Sequence, residues 1–520
     1  MTDHRAAPAP LPAGPAEAAE PAWWASAPRV LGLLALWLLA TAWLRPLLLP
    51  DEGRYSEVAR EMLLGDGLVP LLNGLPFFHK PPLTYWVDLA GMALIGVSHF
   101  SARLGPALGA WLMGAALWLA LRRRQGPRAA GWALLVLATC PFAYIGGQYA
   151  NHDMLVAGTL SAAILALARA LENGPPERRW LLAGWAFCGL AVLAKGLIGV
   201  VLPALVIGPW LLAQGRWPDL LRLLHPLGLA VFAAVALPWF VLMQLRYPAF
   251  FDYFIVEQHF RRFALAGFNN AQPGWFLAAV LPLLTLPWSV GLPGALRRLW
   301  AQRSASAAAD PADRRWALLM AWWVVAVVGF FSLPTSKLVG YILPALAPWC
   351  ALLAPALAAS RWRRPLVALA ALLCLAAVAA LAWKAPNSNR DIGLALRTRV
   401  APADLVVMVD NGFNDVQFEA RLARPPLVAS RWDDPELPRR DNWRKELADT
   451  ARFDPARAAE LLYPIDRLPA LVCRGQRVWF VATAGEAAGL TAVPGATRVL
   501  QGRHAQLWRA EPQACPAGKP

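Results

Sequence analysis

Apolar runs long enough to cross a bilayer recur through the first 384 residues, among them Val30 to Leu44, Leu197 to Ala213 and Pro365 to Trp383. A hydrocarbon core of roughly 30 Å takes about 20 mostly apolar residues in a helix. Backbone in lipid has to satisfy its own hydrogen bonds, so the runs predict transmembrane helices. Composition points the same way. Only 16% of the 520 residues are charged, too few to solvate the surface of a soluble protein of this length.

The net charge of +16 raises nucleic acid as a partner, but the charges are wrongly spread for it. Arg and Lys fall in short clusters between apolar runs: Arg122 to Arg124, Arg178-Arg179, Arg297-Arg298, Arg314-Arg315, and Arg361 with Arg363-Arg364. That pattern marks cytoplasmic loops under the positive-inside rule, and no contiguous basic face for nucleic acid is visible. Residues 1–28 are rich in Ala and Pro and read as a disordered cytoplasmic tail, with Trp23 and Trp24 as an interfacial anchor beside Arg29. A cleavable signal peptide is not expected, because the first apolar run starts late and lacks a clear small-residue cleavage site.

Threading from the cytoplasm, a first span over 30–49 delivers Pro50 to Lys80 to the far side. The stretch Pro81 to Val97 is broken by Asp88, Gly91 and Gly96. It is read as lying along the interface, since a crossing there would put Arg122 to Arg124 on the wrong side. Spans near 103–121, 129–150, 154–171, 180–194, 197–213, 227–245, 274–294, 316–333, 338–358 and 365–384 follow, giving about eleven in all and a C-terminus outside. The expected organisation is a membrane domain over 29–384, with external loops at 50–102 and 246–273, and a soluble external domain over 385–520. Short β-rich runs (Asp404 to Val409, Val478 to Val481, Thr497 to Leu500, Gln506 to Arg509) among helical stretches make that domain α/β. Cys473 and Cys515 fall within it, where an oxidising compartment permits a disulfide.

This threading gathers unusual polar residues on one side. The first loop carries Asp51-Glu52-Gly53-Arg54-Tyr55 through Arg60-Glu61, then His79-Lys80. Tyr149, Asn151, His152 and Asp153 lie in a later turn, and Lys195 interrupts an apolar stretch. Glu257, Gln258, His259, Arg261 and Arg262 form a further loop, and Lys337 and Tyr341 open a late span. Ionisable groups at membrane depth are costly, so function is the default reading of the deep ones. Each also has an ordinary reading. Asp51 after Pro50 suits a helix N-cap, Glu57 and Glu61 a solvated face, and Lys195 a lysine snorkelling to the headgroups. Cations converging on one face suit a phosphate. No Gly-rich phosphate loop or nucleotide-binding strand-turn-helix is present, and the inside loops are too short for a sugar-nucleotide domain.

The stretch Pro50 to Tyr55 through Arg60 to Leu63 resembles the first-loop signature of the aminoarabinose transferases, bacterial relatives of the protein O-mannosyltransferases. Lys80-Pro81, Tyr85-Trp86, the Tyr149 to Asp153 turn, Lys195-Gly196, His259 to Phe263, and Lys337 with Tyr341 follow in order, so the resemblance runs over about residues 30–360. It implies a polytopic C-type glycosyltransferase fold. It further implies Asp51 as the catalytic carboxylate and Asp153 as a second acidic residue. Lys80 and Arg262, with Lys195 and Lys337, would hold the phosphate of an undecaprenyl-phosphate sugar, and Glu52, Arg54, Tyr55 and Tyr341 would line the cavity. The family places Glu where this chain has His79 and Gln258. Those positions are linked to a divalent metal, zinc or magnesium/manganese, which His79, His259 and Glu257 would have to hold instead.

The expected activity is transfer of a sugar, 4-amino-4-deoxy-L-arabinose in the closest reading, from a polyprenyl-phosphate donor to lipid A or another envelope acceptor. Transfer of mannose or another sugar to protein or glycan is the alternative. A transporter would show charges at mid-membrane and an inverted repeat, neither of which is seen. The expected location is the bacterial inner membrane, with membrane lipids as the surroundings and no nucleic-acid partner.

Overall fold

The apolar runs fold as helices, and glycine and proline decide where those helices break. The computed structural model describes residues 26–172, 174–261, 270–304, 311–439 and 442–513; the N-terminal tail with Trp23 and Trp24 lies outside them. Helix α1 (Ala27–Leu39) starts with proline in its first turn and buries Val30, Leu34 and Leu38, spaced four apart on one face. After it come α2 (Asp51–Leu64), the two-residue strands β1 (Leu71–Leu72) and β2 (Leu75–Pro76), and α3 (Leu83–Ile95). Next are α4 (Leu104–Ala138), α5 (Pro141–Gly146), α6 (Asp153–Ala170), α7 (Arg178–Lys195) and α8 (Ile198–Leu212).

At the centre stands α6, with 94% of its apolar window buried. It packs on α4 and α7. The crossing with α4 is so close that a Cβ on Gly158 would overlap the Gly109 backbone, the small-residue contact that lets membrane helices approach. The helices Pro226–Arg246 and Arg363–Lys384 are peripheral, with 22% and 17% of their windows buried. Leu245, Leu372 and Trp383 are exposed on them, a surface suited to lipid.

Six helices are long and apolar enough to cross a membrane, or seven if the pair Phe276–Leu284 and Trp288–Gln302, bent by 102°, is one span. The chain is thus a multi-pass α-helical membrane protein, with fewer full-length crossings among its described residues than the sequence runs suggest. The reasons are local. The runs read as spans over 103–121 and 129–150 are two helices that meet at Gly126 within α4, where φ is 84°, and fold back so that Leu134 reaches Gly114; the second ends at Ala138. The first run stops being helical after Leu39, and α8 has 15 residues with two internal prolines. Helix α3, which is not among the expected spans, has 13 residues, too few to cross.

Beyond Lys384 the chain forms a mixed six-stranded sheet in the order β5-β4-β3-β6-β8-β7. Its strands are β3 (Leu405–Val409), β4 (Leu427–Ser430), β5 (Leu462–Pro464), β6 (Val478–Ala482), β7 (Thr497–Gln501) and β8 (Gln506–Ala510). The strands β5, β4, β3 and β6 pair parallel, while β8 pairs antiparallel with β6 and with the edge strand β7. Strands β3, β6, β7 and β8 fall where the β-rich runs predict them. Strand β4 is a short run buried on both faces, which has no alternation to betray it. Cys473 is disulfide-bonded; Cys515 lies outside the described residues.

Candidate active site

Helix α2 begins directly after Pro50, which occupies the N-cap position, so Asp51 is the first helical residue and not a cap. Asp51 and Glu52 put negative charge in the first turn, where the helix dipole favours it. Contrary to the solvated-face reading, α2 is buried nearly all round, including Glu52, Glu57, Arg60 and Glu61. Arg60 bonds Glu57 through Nε and Nη2 at 2.7 and 2.6 Å. Glu61 accepts from Asn73 N and Gly74 N at the tip of the β1–β2 hairpin, at 2.9 and 2.8 Å.

Glu52, expected to line the substrate cavity, is wholly enclosed and needs correction. Its carboxylate is ion-paired with Arg45 and with Arg103, whose Nε lies 3.1 Å away, and it accepts from Leu48 N at 3.2 Å and Ala150 N at 3.0 Å. Arg45 in turn bonds Gln148 O. Although burial opposes ionisation, Arg103 and Arg45 hold the Glu52 carboxyl down at about 2. One carboxylate therefore fastens the start of α2 to the 148–150 turn that leads into α6. Asp51 begins the first segment and Asp153 follows the second, so the knot brings the two acids near enough for the charge of Asp153 to act on Asp51.

Asp51 is half-buried and accepts from Arg54 Nη2 at 2.7 Å. Burial raises its carboxyl above the ordinary carboxylate range; Arg54 opposes this, and the charges of Asp153 and Glu446 add to it. Asp153, the first residue of α6, is ion-paired with Lys195 at the end of α7. The Lys195 ammonium sits 4.6 Å from the Tyr341 ring centroid, within cation–π range. A Cβ on Gly340 would overlap Asp153 Oδ2, so the Gly340-Tyr341 backbone closes directly over this carboxylate.

His152 is buried, with the rings of Tyr55 and Tyr85 edge-on at 4.6 and 4.8 Å. Burial and then the charges of Lys80, Lys195 and Arg54 hold it neutral, and those three cations thereby mark a common positive region. The Lys80 ammonium reaches the His79 carbonyl at 3.1 Å. Arg54 also touches Tyr55 Oη at 3.2 Å and lies 4.7 Å from its ring centroid. Asp51, Asp153, Lys80, Lys195, Arg54, Tyr55 and Tyr341 thus fall in one region.

The remaining expected residues fare differently. Lys337 is buried and donates to Gln272 O at 2.8 Å, Pro334 O at 2.5 Å and Thr335 O at 3.4 Å, which ties down its own loop. Glu257 is ion-paired with Lys445 at 3.4 Å and Arg452 at 3.1 Å. His79 stacks on Phe77 at 4.6 Å with its Nδ1 3.9 Å from Glu446. Arg262 and the His259 side chain lie outside the described residues. Among the described residues no three His, Cys, Asp or Glu side chains come together as a metal site.

Sequence reasoning missed Arg45, Arg103 and Glu446. The two arginines stand within or beside apolar runs and belong to no motif that singles them out. Glu446 belongs to the helix Trp443–Thr450 of the soluble domain, and nothing local links it to Arg54, with which it is ion-paired.

The paired carboxylates and cations lie at one end of the helical bundle of a polytopic membrane protein, against its mixed α/β unit. Its fold matches the crystal structure of ArnT from Cupriavidus metallidurans bound to undecaprenyl phosphate, with a TM-score of 0.80 and 25% identity over 93% of this chain and 99% of that one. More particularly, the chain closely resembles the undecaprenyl phosphate-α-4-amino-4-deoxy-L-arabinose arabinosyl transferases. It is 36% identical to the one from Erwinia tasmaniensis over 325 residues, 62% of this chain and 57% of that protein. It is also 36% identical to the one from Aeromonas salmonicida over 352 residues, 65% of this chain and 62% of that protein. Both matches take in less than two thirds of the relatives' own length. Residues 79–242 match the dolichyl-phosphate-mannose-protein mannosyltransferase family.

Proposed function

We propose that this chain is an inverting membrane glycosyltransferase. It moves 4-amino-4-deoxy-L-arabinose from an undecaprenyl-phosphate carrier to lipid A or a related envelope acceptor, at the periplasmic face of the bacterial inner membrane. The observation that carries this reading is the juxtaposition of Asp51 and Asp153, fixed by the Glu52 knot beside Lys195.

Asp51, raised by burial but held by Arg54, takes the proton of the acceptor hydroxyl as general base. The oxygen attacks the anomeric carbon while the bond to the carrier phosphate breaks, and direct displacement inverts configuration. Lys80 and Lys195, with Arg262, stabilise the charge growing on the departing phosphate. Asp153 orients Lys195, and Tyr341 packs on that ammonium. Lys337, held by three carbonyls, supports the loop before Gly340. Glu257 is engaged by Lys445 and Arg452, and among the described residues no three His, Cys, Asp or Glu side chains gather as a metal site.

In this reading the bundle makes about eleven crossings, counting both arms of α4, the bent pair, and the helices α1, α7 and α8. The N-terminus is cytoplasmic, and the domain from residue 385 is periplasmic. The match over 79–242 favours a second reading, transfer of mannose from a polyprenyl phosphate to protein.

Lipid A from bacteria lacking their own aminoarabinose transferase, and expressing this chain, tests the choice by mass spectrometry. The proposal expects lipid A to gain the mass of one aminoarabinose, and not to gain it with Asp51→Asn. Unmodified lipid A alongside mannosylated envelope protein would favour the second reading.

A further inference from the structure

Arginines gather at the end of the bundle opposite the paired acids. Helix α6 begins at Asp153 and runs for 18 residues, so its far end lies about 27 Å from that carboxylate. There α4, α6, α8 and the helix Pro311–Ser332 surround a cavity of about 120 Å³, room enough for several waters or one phosphate group. Its described walls carry Arg124, Arg216 and Arg315 beside the rings of Trp210 and Trp316, with Glu172 as the one acid among them. Two of the guanidinium groups are held in place. Arg124 bonds Glu172 at 2.6 Å and Ala312 O at 3.0 Å, and lies 4.9 Å from the Trp316 ring centroid. Arg216 bonds Asp219 through Nε at 2.7 Å and Leu171 O through Nη2 at 2.8 Å. A guanidinium has five N–H donors, more than these bonds use. Glu172 is shared with Arg169 at 2.9 Å and Asp219 with Arg222 at 2.8 Å, so each acid already serves two arginines.

The surroundings suit a lipid better than a free ion. Helix α9 (Trp217–Leu223) follows Arg216 directly, and Leu212, Trp217, Leu221 and Leu224 on and around it are each half exposed or more. Acyl chains can lie on these side chains with their headgroup at the anchored arginines, and basic pockets between membrane helices are where anionic headgroups bind. We propose that this cavity is a second lipid site, apart from the transfer centre, which takes the phosphate of an anionic membrane lipid. Arg124 and Arg216 hold the phosphate oxygens through charge-assisted hydrogen bonds, the exposed Arg315 stands at the rim, and the tails run along α9. A lipid seated there joins α4, α6, α9 and the helix Pro311–Ser332 at the end remote from the chemistry, so it stabilises the bundle without entering the reaction.

The test uses the full chain in detergent and follows bound lipid by native mass spectrometry, with phosphatidylglycerol, phosphatidylcholine and inorganic phosphate as probes. The native chain is expected to bind phosphatidylglycerol about tenfold or more tightly than phosphatidylcholine. In Arg216→Gln combined with Arg315→Gln, the Kd for phosphatidylglycerol should rise by about tenfold or more, the size of one charge-assisted contact. Lys80→Ala should bind it as the native chain does. If the double variant does not accumulate in membranes, Arg315→Gln alone carries the test, with a rise in Kd of about threefold. An unchanged Kd in the arginine variants, or no preference over phosphatidylcholine, overturns the inference. Loss of binding in Lys80→Ala would put the lipid in the transfer centre, and displacement of phosphatidylglycerol by inorganic phosphate at similar concentration would make the ligand the free ion; either result overturns the lipid site.

Discussion

Asp51 can remove a proton only when ionised, so kcat/KM should fall as pH drops through its pKa. Burial places that acidic limb above the usual range of an aspartate, and Arg54 pulls against it. Replacing Arg54 with Gln removes the pull, and the limb should then move to higher pH, as a pH–rate profile would show; a downward move would mean Asp51 is not the base. Asp51→Asn should lower transfer by about a hundredfold or more with the protein still folded. Gly340→Ala is expected to cost transfer as well, because its Cβ would displace Asp153 from Lys195. Equal activity in that variant would show the Gly340 backbone to be free to shift. At this scale the sequence was informative about type and order. Asp51, Asp153, Lys80, Lys195 and Tyr341 were all legible from the first-loop motif and the polar residues that follow it. Glu52 was misplaced because a carboxylate adjacent to Asp51 looks the same in sequence whether it faces a cavity or two buried arginines.

The elements that bring these residues together are joined by buried charge. Glu52 links α2 to the turn before α6 through Arg45, Arg103 and Ala150 N. Glu52→Gln leaves two buried guanidinium groups without their counter-charge, and breaking such a pair costs about 3–5 kcal/mol. A lower thermal midpoint in detergent is the expected readout. Because its folded pKa of about 2 is below the ordinary 4.5, the Glu52 contribution is present above that ordinary value and is lost as pH falls towards 2. Gly158→Ala should separate α4 from α6 and reduce accumulation in membranes. Normal accumulation with unaltered transfer would contradict the close crossing. Neither contact was readable from the sequence. A glycine in an apolar helix has no visible partner, and the pairing of Arg103 with Glu52 spans 51 positions.

Across the whole molecule, hydropathy revealed the helical membrane class but overcounted its full-length crossings, since it cannot see helices that end early, at Leu39 or at Ala138. Composition separated the α/β unit from the bundle, yet gave no sign of how the unit docks. It sits on the first loop, where Arg457 Nε bonds Gly74 O at 2.9 Å and Arg421 Nη2 bonds Val97 O at 2.7 Å. Lys445 and Arg452 hold Glu257 on the other side. Reversing both charges, Lys445→Glu with Arg452→Glu, should loosen that contact and expose the unit to limited proteolysis while transfer falls. The most direct measurement is transfer of radiolabelled aminoarabinose from its undecaprenyl-phosphate carrier to lipid A by the purified native chain, beside Asp51→Asn and Lys80→Ala. Transfer by the native chain that disappears in both variants, with thermal midpoints unchanged, is the predicted result. Equal transfer in Asp51→Asn, or none by a folded native chain from any lipid-linked sugar, would contradict a catalytic centre built on Asp51.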